Sequence, residues 1–407
     1  MNFKMPALAL PNLSWNFKWP SWLSKAEPKP AEAPQMYDGL LVTCVFALFG
    51  LGLIMVMSAS ASEAERMFGN PYHYAIRHAI FMGLALCISG AVLQIPIKHW
   101  HDKDGFLLVV AIVLLIAVLI VGKKVNGSTR WLALGPINIQ VAEVAKLFFF
   151  SFLAGYLVRR HDEVRENIKG FIKPLFVFFV IACLLIAQPD LGTVVVMLVT
   201  TMGMLFLAGA RLWQFAALLI AGATAVAVLI ILSPYRLRRV TSFWDPWQDP
   251  FGSGYQLTQS LMAFGRGSWT GEGLGNSIQK LAYLPEAHTD FVIAVLAEEL
   301  GFVGVTAVVV LLAVVVFRAL WIGRQALQDE RYFEGFFASG IGIWLCFQGV
   351  VNMGASAGLL PTKGLTLPLV SYGGSSMIIL SMAIAVVIRI DHEGRMARTQ
   401  AVGGRRK

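Results

Sequence analysis

A carboxylate at the junction of a polar segment and an apolar helix is the first chemistry this sequence offers. Asp290 closes LPEAHTD and is followed at once by FVIAVLA. One reading makes it a helix cap, since an anion there is favoured by the N-terminal end of the helix dipole. The other makes it a general base at the mouth of a membrane-facing cavity. Glu286 and His288, just before it, would assist that base or simply solvate the loop. Further on, Lys363 sits between Pro361-Thr362 and Gly364. That stiff turn suits an ammonium held against a phosphate, or one snorkelling among headgroups. Ser371 and Tyr372 add hydroxyls beside Gly373 and Gly374, glycines that tight helix packing explains equally well.

Other charges stand inside apolar runs, where they are costly and therefore functional candidates. Glu143 and Lys146 lie three apart on one helix face, spaced for a structural ion pair or for contact with an anionic headgroup. Glu298 and Glu299 follow Asp290 on the same helix, roughly 12–14 Å deeper at the helical rise. Two adjacent carboxylates at that depth require partners inside the bundle. Asp190, in QPDLG, fits a turn as well as a ligand contact.

The elements that carry these residues are membrane helices. Hydrophobic residues make up 57% of the 407 and charged residues 14%, against about 25% charged in soluble domains. Apolar runs long enough to cross a ~30 Å hydrocarbon core recur along the chain. They predict about ten spans, at 39–59, 76–95, 105–122, 141–158, 171–187, 191–208, 212–232, 290–317, 336–354 and 369–389. The fold class expected is an all-α polytopic membrane protein. The runs are continuous, as in FLLVVAIVLLIAVLIV, rather than alternating, which excludes a β-barrel. Residues 1–37 read as a disordered polar tail, 38–390 as the membrane domain and 391–407 as a basic tail.

Ten spans put both termini on one side, which holds about 21 of the 33 Lys and Arg, against about 11 on the other. Both termini are therefore expected in the cytoplasm. The one long connection, 233–289 between spans seven and eight, then lies outside; it is rich in Trp and Gly, as functional loops are. The net charge of +9 belongs to span flanks and lipid headgroups, not to a nucleic-acid partner. Cys44, Cys87, Cys183 and Cys346 fall in apolar runs and read as small buried hydrophobes, not as disulfides or a metal site. No internal repeat supports an inverted-repeat transporter.

Six segments together resemble the SEDS family of shape, elongation, division and sporulation proteins. They are IMVMSASA, GSTRWLALGPINIQVAEVAKL, QPDLGT, FWDPWQDPFGSGYQLTQSLMAFGRG, YLPEAHTDFVIAVLAEELGFVG and LLPTKGLTLPLVSYGGSS, spread from about 38 to 390. The likeness is to the cell-division branch rather than the elongation branch. It implies a glycosyltransferase that polymerises lipid II, the undecaprenyl-pyrophosphate-linked disaccharide peptide, into β-1,4 glycan strands with inversion. By that likeness Asp290 matches the family's catalytic aspartate, and Lys363 a position the family needs. Arg236, Arg238 and Arg239 join Lys363 as candidate pyrophosphate contacts, and a divalent cation (Mg or Mn) is an optional helper. Implied partners are a class B penicillin-binding protein and other divisome membrane proteins, with the bacterial inner membrane at the septum as the location. Two rivals stand beside this reading. A lipid II flippase would use Glu143, Lys146, Glu298 and Glu299, and a scaffold would recruit division proteins through its tails.

Overall fold

The computed structural model describes residues 37–404 apart from 126–127, 135–136, 234–242, 253, 282 and 362–363. Its helices are α1 (Gly39–Phe68), α2 (His73–Val92), α3 (Ile97–Asp102), α4 (Asp104–Val121), α5 (Val141–Arg159), α6 (His161–Glu166), α7 (Ile168–Ala187), α8 (Leu191–Leu207), α9 (Leu212–Ile231), α10 (Tyr255–Gly267), α11 (Val292–Gln328), α12 (Tyr332–Ser356) and α13 (Gly374–Gly404). Eight of these are long and apolar enough to cross a membrane: α1, α2, α4, α5, α7, α11, α12 and α13. Two more apolar stretches are shorter, Leu191–Leu207 and Trp213–Ala225 within α9. The expected helical class therefore holds.

One addition is a small antiparallel sheet between α4 and α5, in the order β1 (Lys123–Val125), β2 (Ser128–Leu134), β3 (Ile137–Gln140). Trp131 pairs with Gln140 and Leu132 with Ile139. In a chain this apolar, three short strands after a turn were not legible as a sheet. A second difference lies at the C-terminus, where α13 runs unbroken through the boundary expected at 390/391.

The centre of the bundle is α5, α12 and α13, the most buried spans, whereas α2 and α4 are the most exposed. Phe149 and Phe150 from α5 and Phe336, Phe337 and Trp344 from α12 are fully buried. The Phe150 and Trp344 ring centroids are 5.7 Å apart. Apolar side chains on the outer helices, such as Ile120, Phe176 and Ile231, are exposed and suit a lipid solvent. Of the four cysteines only Cys44 is buried; Cys87, Cys183 and Cys346 are exposed on outward helix faces. The expectation that they are buried in protein is therefore corrected: they sit on apolar faces that suit a lipid solvent.

The long helix α11 is broken. Gly301 takes φ 64° and ψ −164°, outside the range of other residues. The helical bonds lost there are replaced by the loop that follows α10. Glu272 N–H donates to Glu298 O at 2.9 Å and Gly273 N–H to Glu299 O at 3.0 Å, while Phe302 N–H donates to Ser268 O at 3.0 Å and Val303 N–H to Trp269 O at 3.2 Å. Four backbone groups at the break, two carbonyls and two N–H groups, thus find partners in the loop. A Cβ on Gly301 would press on Trp269 O at 2.6 Å. Gly301→Ala is therefore expected to cost about 1–3 kcal/mol from backbone strain alone. Thermal unfolding in detergent checks the loss, and hydrogen exchange should show residues 268–273 released.

This break changes the reading of Glu298 and Glu299. They end the short first segment of α11, and their partners come from the loop after α10 that folds onto them and, for Glu299, also from α1. Glu298 accepts from Arg266 Nη1 at 3.0 Å, from Ser277 Oγ, and from the N–H groups of Ile278 and Gln279 at 3.0 and 3.2 Å. Glu299 accepts from Lys280 Nζ at 2.7 Å and from Ser58 Oγ of α1 at 2.7 Å. Both carboxylates are fully buried.

Candidate active site

Asp290 stands half-buried just before α11. The helix takes Phe291 as its N-cap with no side-chain cap bond, so the capping role considered for Asp290 is not the one it plays. Asp190 does cap: its carboxylate accepts from Thr193 N–H at 3.3 Å and Thr193 Oγ1 at 2.9 Å, opening α8.

The Asp290 backbone is held from α12. Asn352 Nδ2 donates to Asp290 O at 2.9 Å and also to Leu365 O at 2.6 Å. One amide thus ties the turn bearing the carboxylate to the segment after Lys363. A helical turn below, Gln348 Nε2 donates to Thr366 O at 3.1 Å. Its Oε1 accepts from Lys146 Nζ at 2.8 Å and Trp344 Nε1 at 2.8 Å. Lys146 also bonds Glu143 at 2.9 Å, so the pair expected from its spacing forms, fully buried, with the ammonium 4.8 Å from the Trp344 ring centroid. The intramembrane charges are in this way part of the frame beneath the site.

Sequence reasoning missed Gln348, Asn352 and Ser356. Their spacing of four on an apolar helix is a polar stripe that was legible in QGVVNMGAS. Asn352→Leu removes the amide donor of the Asp290 and Leu365 carbonyls, leaving Asp290 O only a long bond of 3.5 Å from Ser356 Oγ. It is expected to cost about 1–3 kcal/mol and to lower turnover more than substrate affinity, which thermal melts and steady-state kinetics separate.

Arg130 was also missed. It projects from β2, donates from Nε to Gln188 O at 3.2 Å and from Nη2 to Pro189 O, and places Nη1 4.0 Å from Asp190 Oδ1. A Cβ on Gly364 would lie 3.4 Å from Asp290 Oδ2 and 3.7 Å from Arg130 Nη1. Carboxylate and guanidinium therefore border one small space above a glycine.

The remaining expected site residues divide. Glu286 is exposed, has φ 57°, and accepts from Thr289 Oγ1 at 2.7 Å. His288, expected to assist at the surface, is instead buried, because aromatic rings close over it. Its ring lies 4.6 Å from that of Tyr74 and 5.4 Å from that of Tyr372, and its Nδ1 is 3.3 Å from Glu63. Tyr372 N–H donates to His288 O at 3.0 Å. Burial pushes the Tyr372 phenol up, which keeps it a neutral hydroxyl. Ser371 is buried and its Oγ accepts from Leu367 N–H at 2.9 Å, so it shapes the turn. Lys363, Arg236, Arg238 and Arg239 lie outside the described residues. Among the described residues no three His, Cys, Asp or Glu side chains converge to hold a metal ion.

Fold and site together define a polytopic helical membrane protein with a carboxylate and a guanidinium at one end of its bundle. The family profile of cell cycle proteins of the FtsW, RodA and SpoVE type matches residues 39–396, and the chain belongs to that family. It is 57% identical over 377 residues to a probable peptidoglycan glycosyltransferase FtsW of Pseudoalteromonas translucida, covering 93% of this chain and 94% of the relative. Similarity to the protein of the same description from Escherichia coli O6:H1 is 51% over 409 residues, covering 98% and 99%. Among solved structures, one described as showing the structural coordination of polymerization and crosslinking by a peptidoglycan synthase complex superposes with TM-score 0.74 at 30% identity, over 88% of this chain and 98% of the other. The Rod shape determining protein RodA of Thermus thermophilus superposes with TM-score 0.66 at 28% identity, over 88% and 97%.

Proposed function

We propose that this chain is a peptidoglycan glycosyltransferase that polymerises lipid II in cell division. The observation that carries the chemistry is Asp290 beside Arg130, at the end of the bundle where the long loop emerges. Relatives named as peptidoglycan glycosyltransferases, matched over nearly their whole length, support the same reading. Asp290 takes the proton from the 4-hydroxyl of the acceptor sugar as that oxygen attacks the anomeric carbon of the donor. The bond from that carbon to the pyrophosphate oxygen breaks, and its electron pair leaves with undecaprenyl pyrophosphate. Attack opposite an α-linked leaving group gives the β-1,4 linkage in one inverting step. Pyrophosphate leaves without protonation, so one carboxylate suffices where glycoside hydrolysis needs two. Cationic side chains compensate the charge that develops on it, and a Mg or Mn ion entering on the pyrophosphate would add to that compensation.

Membrane helices suit this chemistry because both substrates are lipid-anchored. In this reading the protein lies in the inner membrane with both termini cytoplasmic and works at the septum beside a class B penicillin-binding protein that cross-links the strands. The flippase alternative is weakened by the state of its charges. Glu298, Glu299 and Lys146 are each paired within the bundle or by the loop, and Glu143 is paired to Lys146 through Oε1. The purified chain with its partner, given labelled lipid II, is expected to yield glycan strands. Vesicles in which lipid II crosses the bilayer but no strands form would reverse the assignment.

A further inference from the structure

From the geometry above Gly364 we infer that Arg130 is the leaving-group contact of this site, and that Gly364 lacks a side chain so that the departing pyrophosphate can reach it. This rests on the proposed glycosyl transfer and names a binding group for its anionic product. Arg130 is held by its own fork: two N–H groups are spent on the carbonyls of Gln188 and Pro189, and Asp190 lies beside it. A guanidinium anchored in this way loses little freedom on meeting an anion. Its side chain is 23% exposed, and Nη1 borders the space above Gly364 that Asp290 Oδ2 also borders. A carboxylate that collects a proton and a cation that receives the leaving oxygen are the two groups an inverting transfer needs near one centre. Gly364 separates them, and no backbone strain demands glycine there, because its φ is not in the left-handed region. Open space is the reason that remains.

The anchoring bonds also give Arg130 a structural role, tying the β2 hairpin to the turn after α7, so the test has to separate the two. Three variants, Arg130→Ala, Arg130→Lys and Gly364→Ala, are compared with wild type in nanodiscs. The readouts are thermal melting, direct binding of inorganic pyrophosphate by calorimetry, and lipid II polymerisation with the partner present. Gly364→Ala leaves every Arg130 bond in place, and its methyl makes only ordinary contacts of 3.4 and 3.7 Å. It is expected to melt like wild type, bind pyrophosphate at least tenfold more weakly and polymerise at least tenfold more slowly. Arg130→Ala is expected to lower kcat about 10²–10³-fold, as loss of one transition-state donor does, and to abolish pyrophosphate binding, with part of both restored by Arg130→Lys. Wild-type rate and pyrophosphate affinity in Gly364→Ala overturn the inference. So does an Arg130→Ala variant that melts early yet still binds pyrophosphate, since that marks a purely structural arginine. A wild-type protein that binds pyrophosphate through Arg130 but makes no strands would instead count against glycosyl transfer and leave this contact standing.

Discussion

Asp290→Asn is expected to lower lipid II polymerisation about 10²–10⁴-fold, the range a general base contributes, with no change in melting temperature. The amide keeps the shape of the carboxylate but has no basic oxygen for the acceptor proton. Stability should not follow activity, because α11 is not capped by this side chain and the turn is held through the Asp290 carbonyl by Asn352. Wild-type strand synthesis by the variant, measured by gel separation of labelled glycan, would remove Asp290 from the mechanism. A parallel loss of melting temperature would recast it as structural.

The second large effect is expected at Glu298, far from any reacting atom. Glu298→Ala strips a partner from Arg266 and an acceptor from Ser277 and from the N–H groups of Ile278 and Gln279. Breaking a buried ion pair by removing one partner typically costs about 3–5 kcal/mol, and two backbone donors are orphaned besides. The loop would come off the break at Gly301, leaving the carbonyls of Glu298 and Glu299 without their donors. A large drop in melting temperature with fast hydrogen exchange over 266–281 is the expected signature. Glu298→Gln should lie between, since it keeps acceptor geometry and loses charge. Unchanged exchange in the loop of Glu298→Ala would show that the clasp is not what holds it.

Both sites were legible in part. Asp290 stood out as a carboxylate before an apolar run, where a helix cap was the bland alternative, and the aspartate of HTDF matches the family motif. Glu298 and Glu299 were legible as expensive charges but not as a clasp. Their partners are 19 to 32 residues earlier in the chain or on α1, and nothing in helical periodicity marks a glycine as a break. Arg130 sat in plain view in GSTRW, yet an arginine before a tryptophan on a short outer segment reads as an interfacial anchor. Only the carbonyls of Gln188 and Pro189, some sixty residues later, hold its fork where Nη1 borders Gly364.

The amino-acid order determined by itself that the chain crosses a membrane many times, because apolar length is a local property that the bilayer reads directly. The same locality made the Glu143–Lys146 pair legible, two charges one turn apart on one helix. The tertiary structure decided which polar groups meet across elements: Arg130 with Asp190 beside Gly364, Asn352 with two loops at once, and the loop after α10 with Glu298. Those meetings depend on how spans pack side by side and where α11 breaks. Hydrogen-bond satisfaction over the whole bundle sets both, and no window along the chain contains it.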